Sequence, residues 1–103
     1  MSNKKLNLGI IFGGRSGEHA VSLMSARFII SVIDLDKYNV VEIGITRDGE
    51  WWTGENVLQA LINEHTKGLS PATLLATPGR NGLHQIKENK SINLISKLDV
   101  VFP

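Results

Sequence analysis

The residues with the clearest chemical potential follow the first apolar run of the chain. Residues 6–12 read as a buried strand, residues 13–17 as a tight turn with three glycines, and residues 18–33 as a helix. Glycines let the backbone turn sharply and let a ligand approach closely. The start of the helix adds free N–H groups and a partial positive charge. We therefore expect a ligand site at the carboxyl end of this strand.

The glycine spacing matches a nucleotide-binding motif only in part. Gly14 and Gly17 fit the Gly-x-Gly-x-x-Gly template, but the first glycine is replaced by Phe12. Glu42 stands at about the separation of a ribose-binding acid. A P-loop would need Lys and then Ser or Thr after its last glycine, and here Glu18 follows Gly17.

Glu18 argues against a phosphate at this turn, because it occupies the place that the phosphate would take. The helix dipole and the free N–H groups favour a carboxylate at this position. Such a carboxylate is suited to bind a cation, for instance a substrate ammonium group. The alternative is that Glu18 only caps its own helix. The residues alone leave both interpretations open.

Composition limits the remaining possibilities. The chain has 103 residues, enough for one domain, with 42% hydrophobic and 20% charged residues. A net charge of +1 excludes an electrostatic case for nucleic acid or an anionic membrane as the main partner. Without cysteine there is no disulfide, thiolate metal site or thiol nucleophile. No apolar run approaches a membrane span or a secretory signal, so we expect a cytoplasmic protein. The three histidines lack metal-ligand spacing and are predicted to lie on the surface or in loops.

The order of the elements predicts an α/β fold with a largely parallel central sheet flanked by helices. After the first helix we expect a strand at 38–45, a hairpin turn at Asp48-Gly49 and a return strand at 51–53. Further expected elements are a helix at 55–64, short strands at 72–77 and 83–87, a turn at 78–82, a helical turn at 94–97 and a strand at 98–103.

The first helix carries apolar residues on two sides. Four of them share one helical face, namely Val21, Met24, Phe28 and Val32. Leu23 and Ile30 lie on roughly the opposite side. Together these two sets of residues form an apolar surface that is too wide for one contact with a sheet. It indicates either a few exposed aliphatic side chains or a second contact surface at Leu23 and Ile30, for a dimer partner or for other domains.

Residues 13–22, Gly-Gly-Arg-Ser-Gly-Glu-His-Ala-Val-Ser, resemble the N-terminal motif of D-alanine–D-alanine ligases, which are ATP-grasp enzymes. Residues 44–46, 48–51 and 98–103 follow in the order of that family. The resemblance implies a Rossmann-like (pre-ATP-grasp) N-terminal substrate-binding domain over residues 1–103. The central and C-terminal ATP-grasp domains would lie outside this chain.

The resemblance also implies roles for individual residues. Glu18 would bind the first D-alanine near its ammonium group, Val21 would line the pocket for its methyl group, and Ser22 would support Glu18 through a hydrogen bond. The alternative for Val21 is plain packing in the core. No catalytic, cofactor-binding or metal-binding residue is expected in this chain. ATP and Mg2+ or Mn2+ would be bound by the other domains of the same ligase.

The implied function is one part of an ATP-dependent ligase that joins two D-alanines through an acyl phosphate for peptidoglycan synthesis. A ligase joining D-alanine to D-lactate or D-serine is a close alternative. A non-catalytic Rossmann-like module that binds a nucleotide or a partner protein is an alternative of another class. The strand at 98–103 breaks off where the family continues, so we expect a fragment without ligase activity of its own. A homodimer is the assembly that we consider for the parent protein.

Overall fold

The computed structural model of the chain describes residues 5–15, 17–75, 82–86, 92–96, 98 and 100–102. These residues contain two helices and seven strands. The elements are β1 (Leu6–Gly13), α1 (His19–Val32), β2 (Tyr38–Ile45), β3 (Trp51–Thr53), α2 (Val57–Ile62), β4 (Ser70–Leu75), β5 (Gly82–Ile86), β6 (Ile92–Ser96) and β7 (Val100–Phe102).

The strands form one mixed sheet in the order β6-β5-β4-β3-β2-β1-β7. β1 lies between β2 and β7 and is parallel to both. The four remaining neighbour pairs are antiparallel, so the α/β class is confirmed but the largely parallel sheet is wrong. The physical reason is that a parallel pair needs a long crossover connection, and α1 provides one only between β1 and β2.

Most element predictions hold in the first half of the chain. The strand at 38–45 and the return strand at 51–53 are confirmed, as is the turn between them, where the N–H of Gly49 donates to the Thr46 carbonyl oxygen. The second helix is shorter than predicted. The helical turn predicted at 94–97 is wrong, because residues 92–96 form β6. The turn predicted at 78–82 lies outside the described residues except for its last position.

The orientation of α1 is the reverse of the one that its four-residue stripe suggests. Leu23 and Ala26 are buried against the sheet, and Ile30 is half-buried. Val21, Met24, Phe28 and Val32 are between 59% and 68% exposed. The exposed apolar surface of α1 therefore lies on these four residues and not at Leu23 and Ile30. We call these four residues the outer face of α1.

The main core lies between the sheet and the two helices. It joins Ile10 and Phe12 of β1 to residues of both helices, among them Leu23 of α1 and Val57 and Leu61 of α2. Burying these large apolar side chains of β1 on one face, against both helices, holds this strand, and with it the turn that follows, in a fixed place. Neither described helix has the length and hydrophobicity that crossing a lipid bilayer requires.

Candidate functional site

The glycine turn is attached to β2 at its first two residues. Gly13 and Gly14 have φ angles of +89° and +112°, which residues with a Cβ atom rarely adopt. The N–H of Gly14 donates to the carbonyl oxygen of Ile45 at 2.8 Å. A Cβ at Gly13 would stand 2.1 Å from that same oxygen. Glycine is therefore required at position 13 by both the backbone angle and the close approach of β2.

Ser22 connects the glycine turn to the first turn of α1. Its Oγ accepts a hydrogen bond from the N–H of Gly13 at 2.9 Å. The backbone N–H of Ser22 donates to the carbonyl oxygen of Glu18 at 2.8 Å. Ser22 thus has a positioning contact with the glycine turn. The hydrogen bond to the Glu18 side chain that the resemblance implied stays a prediction.

Glu18 stands at the N-cap position of α1 and is exposed. Its side chain makes no capping hydrogen bond to the helix, so the interpretation of Glu18 as a helix cap is wrong. Ser16, a residue type that often caps helices, precedes Glu18 by two positions and lies outside the described residues. Glu18 itself follows the glycine turn, which begins at the carboxyl end of β1, the end at which open α/β sheets bind ligands.

Val21 is 59% exposed and does not pack in the core. It lies on the outer face of α1 in a shallow apolar groove with Met24 and Phe28. The hydroxyl of Ser22, one residue further, contacts Gly13 instead. The described residues thus place Glu18, Val21 and Ser22 around the first turn of α1 without enclosing a cavity between them. A closed pocket for the methyl group of a substrate stays a prediction.

His19 is a site residue that sequence reasoning missed. It is only 4% exposed, whereas a surface or loop position was predicted for it. Its Nδ1 lies 2.8 Å from the carbonyl oxygen of Gly14, and since a carbonyl only accepts, Nδ1 carries the hydrogen. Its place directly after Glu18, two residues from the end of the glycine turn, was the available signal. Of the other two histidines, His65 is exposed as predicted, while His84 is buried, with Nδ1 3.1 Å from the Gly82 carbonyl oxygen.

His19 also lines a groove of about 390 Å³ at the carboxyl end of β2. Its wall carries both acidic and basic groups. The lining residues are His19, Thr46, Arg47, Asp48, Glu50, Leu61, Glu64, His65 and Thr66. Within the described residues no three acidic or imidazole side chains gather to hold a metal ion.

Glu42 has no place in a nucleotide site. Its carboxylate oxygen Oε1 accepts the backbone N–H of Leu58 at 2.9 Å, and its backbone carbonyl accepts the hydroxyl of Thr53. The side chain is directed to the start of α2, away from the glycine turn. The role of ribose-binding acid considered from the sequence is therefore not supported, which weakens the nucleotide-module alternative.

Comparison with known proteins adds an independent line of evidence. A family model described as the D-ala D-ala ligase N-terminus matches residues 7–103. The D-alanine–D-alanine ligase of Natranaerobius thermophilus is 39% identical over 101 residues, which are 97% of this chain and 27% of that protein. The ligase of Heliobacterium modesticaldum is 41% identical over 103 residues, with 96% and 26% covered.

Among solved structures, the VanG D-Ala:D-Ser ligase of Enterococcus faecalis superposes with a TM-score of 0.80 at 33% identity. The match covers 97% of this chain and 29% of that one. The chain thus spans between a quarter and a third of the proteins it matches. Since the family model covers nearly every residue, the chain belongs to the family of D-alanine–D-alanine ligase N-terminal domains.

Proposed function

We propose that the chain is the N-terminal substrate-binding domain of an ATP-dependent ligase that joins two D-alanines for peptidoglycan synthesis. The observation that carries the proposal is the exposed Glu18 at the start of α1, directly after the glycine turn, in a chain of this family. In this proposal the chain forms one wall of the site for the first D-alanine. The cytoplasmic location expected from the sequence stays a prediction.

The chemistry that we assign to Glu18 is recognition of an ammonium group. A carboxylate and an ammonium ion form a charge-assisted hydrogen bond, which is about twice as strong as one between neutral groups. D-alanine offers its ammonium group to Glu18 and its methyl group to an apolar neighbour, for which Val21 is the nearest candidate on α1. Ser22 acts indirectly, by holding Gly13 and thus the turn beside Glu18.

The reaction itself requires groups outside this chain. ATP would phosphorylate the carboxylate of the first D-alanine, and the amine of the second would attack the acyl phosphate and release phosphate. Magnesium and cationic side chains supply the charge neutralisation that phosphoryl transfer needs. The described residues do not form a metal site, so we derive no step through a metal ion or nucleotide here. We expect residues 1–103 alone to release no phosphate from ATP, magnesium and D-alanine above background.

D-serine is an alternative to D-alanine as the second substrate, and one comparison favours it. The solved relative with a TM-score of 0.80 is a D-Ala:D-Ser ligase. The position of Glu18 serves the first D-alanine equally well in both kinds of ligase. An assay of the full-length protein with D-alanine alone, with added D-serine and with added D-lactate separates the three products.

The test of the main proposal is Glu18→Gln in the full-length protein. Loss of the negative charge should raise the KM of the first D-alanine by about tenfold or more, since a charged hydrogen bond contributes about 1.5–3 kcal/mol. The KM of ATP should stay unchanged. Glu55→Gln is the matched control, because it removes the same charge from an exposed glutamate shortly before α2. An unchanged KM for the first D-alanine would refute the role of Glu18.

The proposal includes a homodimer through the outer face of α1. The four side chains of this face and Leu35 beyond the helix are all at least 59% exposed. Such exposed apolar side chains suit the centre of a specific interface, which buries roughly 800 Å² per partner. We therefore assign Met24, Phe28, Val32 and Leu35 to contact with a second copy, and leave Val21, at the start of α1, to the substrate site. Coverage of the same face by other domains of the ligase is the competing outcome.

A further inference from the structure

We propose that His19 is a positioning residue for the first D-alanine site. In this inference the imidazole holds the glycine turn against the start of α1 and so fixes where the carboxylate of Glu18 stands. The inference rests on the proposed function for its consequence in binding. The contacts that carry it are present in the chain irrespective of that function.

The burial of His19 is the first of these observations. The residue is 4% exposed, although both its chain neighbours, Glu18 and Ala20, are exposed. Burying an imidazole costs free energy unless its polar atoms are hydrogen-bonded. The Nδ1–H group donates to the carbonyl oxygen of Gly14 at 2.8 Å. The hydrogen bond to Gly14 of the glycine turn therefore offsets the cost of burying the polar Nδ1 atom.

The contacts around Gly14 make the turn and His19 one rigid unit. The carbonyl of Gly14 accepts from His19 while its N–H donates to Ile45 of β2. Cε1 of the imidazole also lies 3.2 Å from the position that a Cβ would take at Gly13. The ring thus fills the space beside the turn as well as bonding to it. A side chain without a donor at this place would leave the Gly14 carbonyl without its partner.

The same contacts determine the position of Glu18. α1 begins at His19, so a shift of His19 would move the N-cap residue directly before it. The carbonyl of Glu18 is held from the other direction by the N–H of Ser22 at 2.8 Å. A displacement of about 1 Å in a group that positions the substrate can lower the reaction rate by about a hundredfold. His19 therefore acts on the substrate through Glu18 and does not contact it.

Five charged or titratable residues line the groove described above together with His19. They are Arg47, Asp48, Glu50, Glu64 and His65. A test that altered these charges would mix their effects with that of the imidazole. The test therefore depends on the hydrogen-bond donor, which substitutions can remove or retain without altering those charges.

The experiment compares His19→Leu with His19→Asn in the full-length ligase. Leucine removes the donor, whereas the amide Nδ2 of asparagine is as many bonds from Cα as Nδ1. We expect His19→Leu to raise the KM of the first D-alanine about fivefold to tenfold, in line with the loss of one buried hydrogen bond. The KM of ATP should not change, and His19→Asn should restore most of the binding.

His84 provides the matched control. It is equally buried, and its Nδ1 faces the Gly82 carbonyl oxygen at 3.1 Å, far along the chain from the glycine turn. We expect His84→Leu to lower stability without changing the KM of the first D-alanine. Equal KM values for His19→Leu and His19→Asn would overturn the inference, and so would an equal rise in KM caused by His84→Leu.

Two further measurements keep the inference testable. If His19→Leu does not fold, His19→Asn is compared with His19→Gln, whose amide stands one bond further out; equal KM values would overturn the inference. If the parent protein proves to have no ligase activity, the proposed function fails. Hydrogen exchange of the Gly14 amide then tests whether His19 holds the glycine turn in place. We then expect faster exchange in His19→Gln than in His19→Asn, and equal rates would overturn the positioning role.

Discussion

The carboxylate oxygen Oε1 of Glu42 accepts a hydrogen bond from the backbone N–H of Leu58 at 2.9 Å, so a strand side chain stabilises the start of α2. The N-cap residue of this helix, Asn56, has a left-handed conformation with φ +54°, and its side chain makes no capping bond. Glu42 therefore performs the capping function from β2. This contact ties the second helix to the strand that borders β1.

The first prediction concerns this cap. Glu42→Ala should lower the free energy of unfolding by about 1–2 kcal/mol, because the N–H of Leu58 loses its acceptor. Glu42→Gln keeps an acceptor oxygen and should lose less. Urea unfolding of both variants provides the measurement. Equal losses for the alanine and glutamine variants would show that the charge, and not the hydrogen bond, matters.

The second prediction concerns the contact of β2 with α2. A Cβ at Gly44 would stand 2.7 Å from Cγ1 of Val57 and 2.9 Å from the methyl groups of Leu61. Gly44→Ala should therefore destabilise the protein by about 1–3 kcal/mol through overpacking. Gly17→Ala is the control, since no described atom lies within 4 Å of its Cβ position. A wild-type melting temperature for Gly44→Ala would contradict the packing described here.

The third prediction concerns Ser22 in the full-length ligase. Ser22→Ala removes the acceptor of the Gly13 N–H, so the KM of the first D-alanine should rise roughly threefold to tenfold. Ser22→Thr retains a hydroxyl and should restore part of the binding. Steady-state kinetics at saturating ATP gives the comparison. Ser25→Ala, an exposed change on the same helix, should leave that KM unaltered.

The fourth prediction concerns the outer face of α1. Phe28 is 68% exposed, and Phe28→Glu should shift the full-length protein from dimer to monomer, because a charge in an apolar interface lacks a partner. Sedimentation velocity measures the change, with Gln59→Glu on exposed α2 surface as the control of equal charge. An unchanged dimer with a lower melting temperature would assign the face to other domains of the ligase.

The local elements could be predicted because their signals are local. The strand at 38–45 and the Asp48-Gly49 turn depend on side-chain type and on the conformational freedom of glycine, and both were confirmed. The site motif was found for the same reason, since its glycines, acid and serine lie within ten residues. The family then provided a role for Glu18 that the residues alone left open.

The relations between elements could not be predicted in this way. α1 carries apolar side chains on both sides, and only the assembled sheet decides that Leu23 is buried and Phe28 exposed. The antiparallel half of the sheet depends on how short connections return the chain beside itself. The burial of His19 depends on an acceptor five residues earlier, which becomes available only once the turn has its positive φ angles.

The place of β1 in the sheet has a consequence for the order of folding. Leu8 pairs with Val40 on one side and with Val100 on the other, so one partner is close in the chain and the other distant. Contacts between distant residues form slowly, because a long loop must close first. During synthesis β1 and β2 can associate early, while the β7 side of β1 stays open until residues 100–102 have left the ribosome. The strand that leads into the glycine turn is thus completed late, and its exposed edge is where a nascent chain would most need protection from other strands.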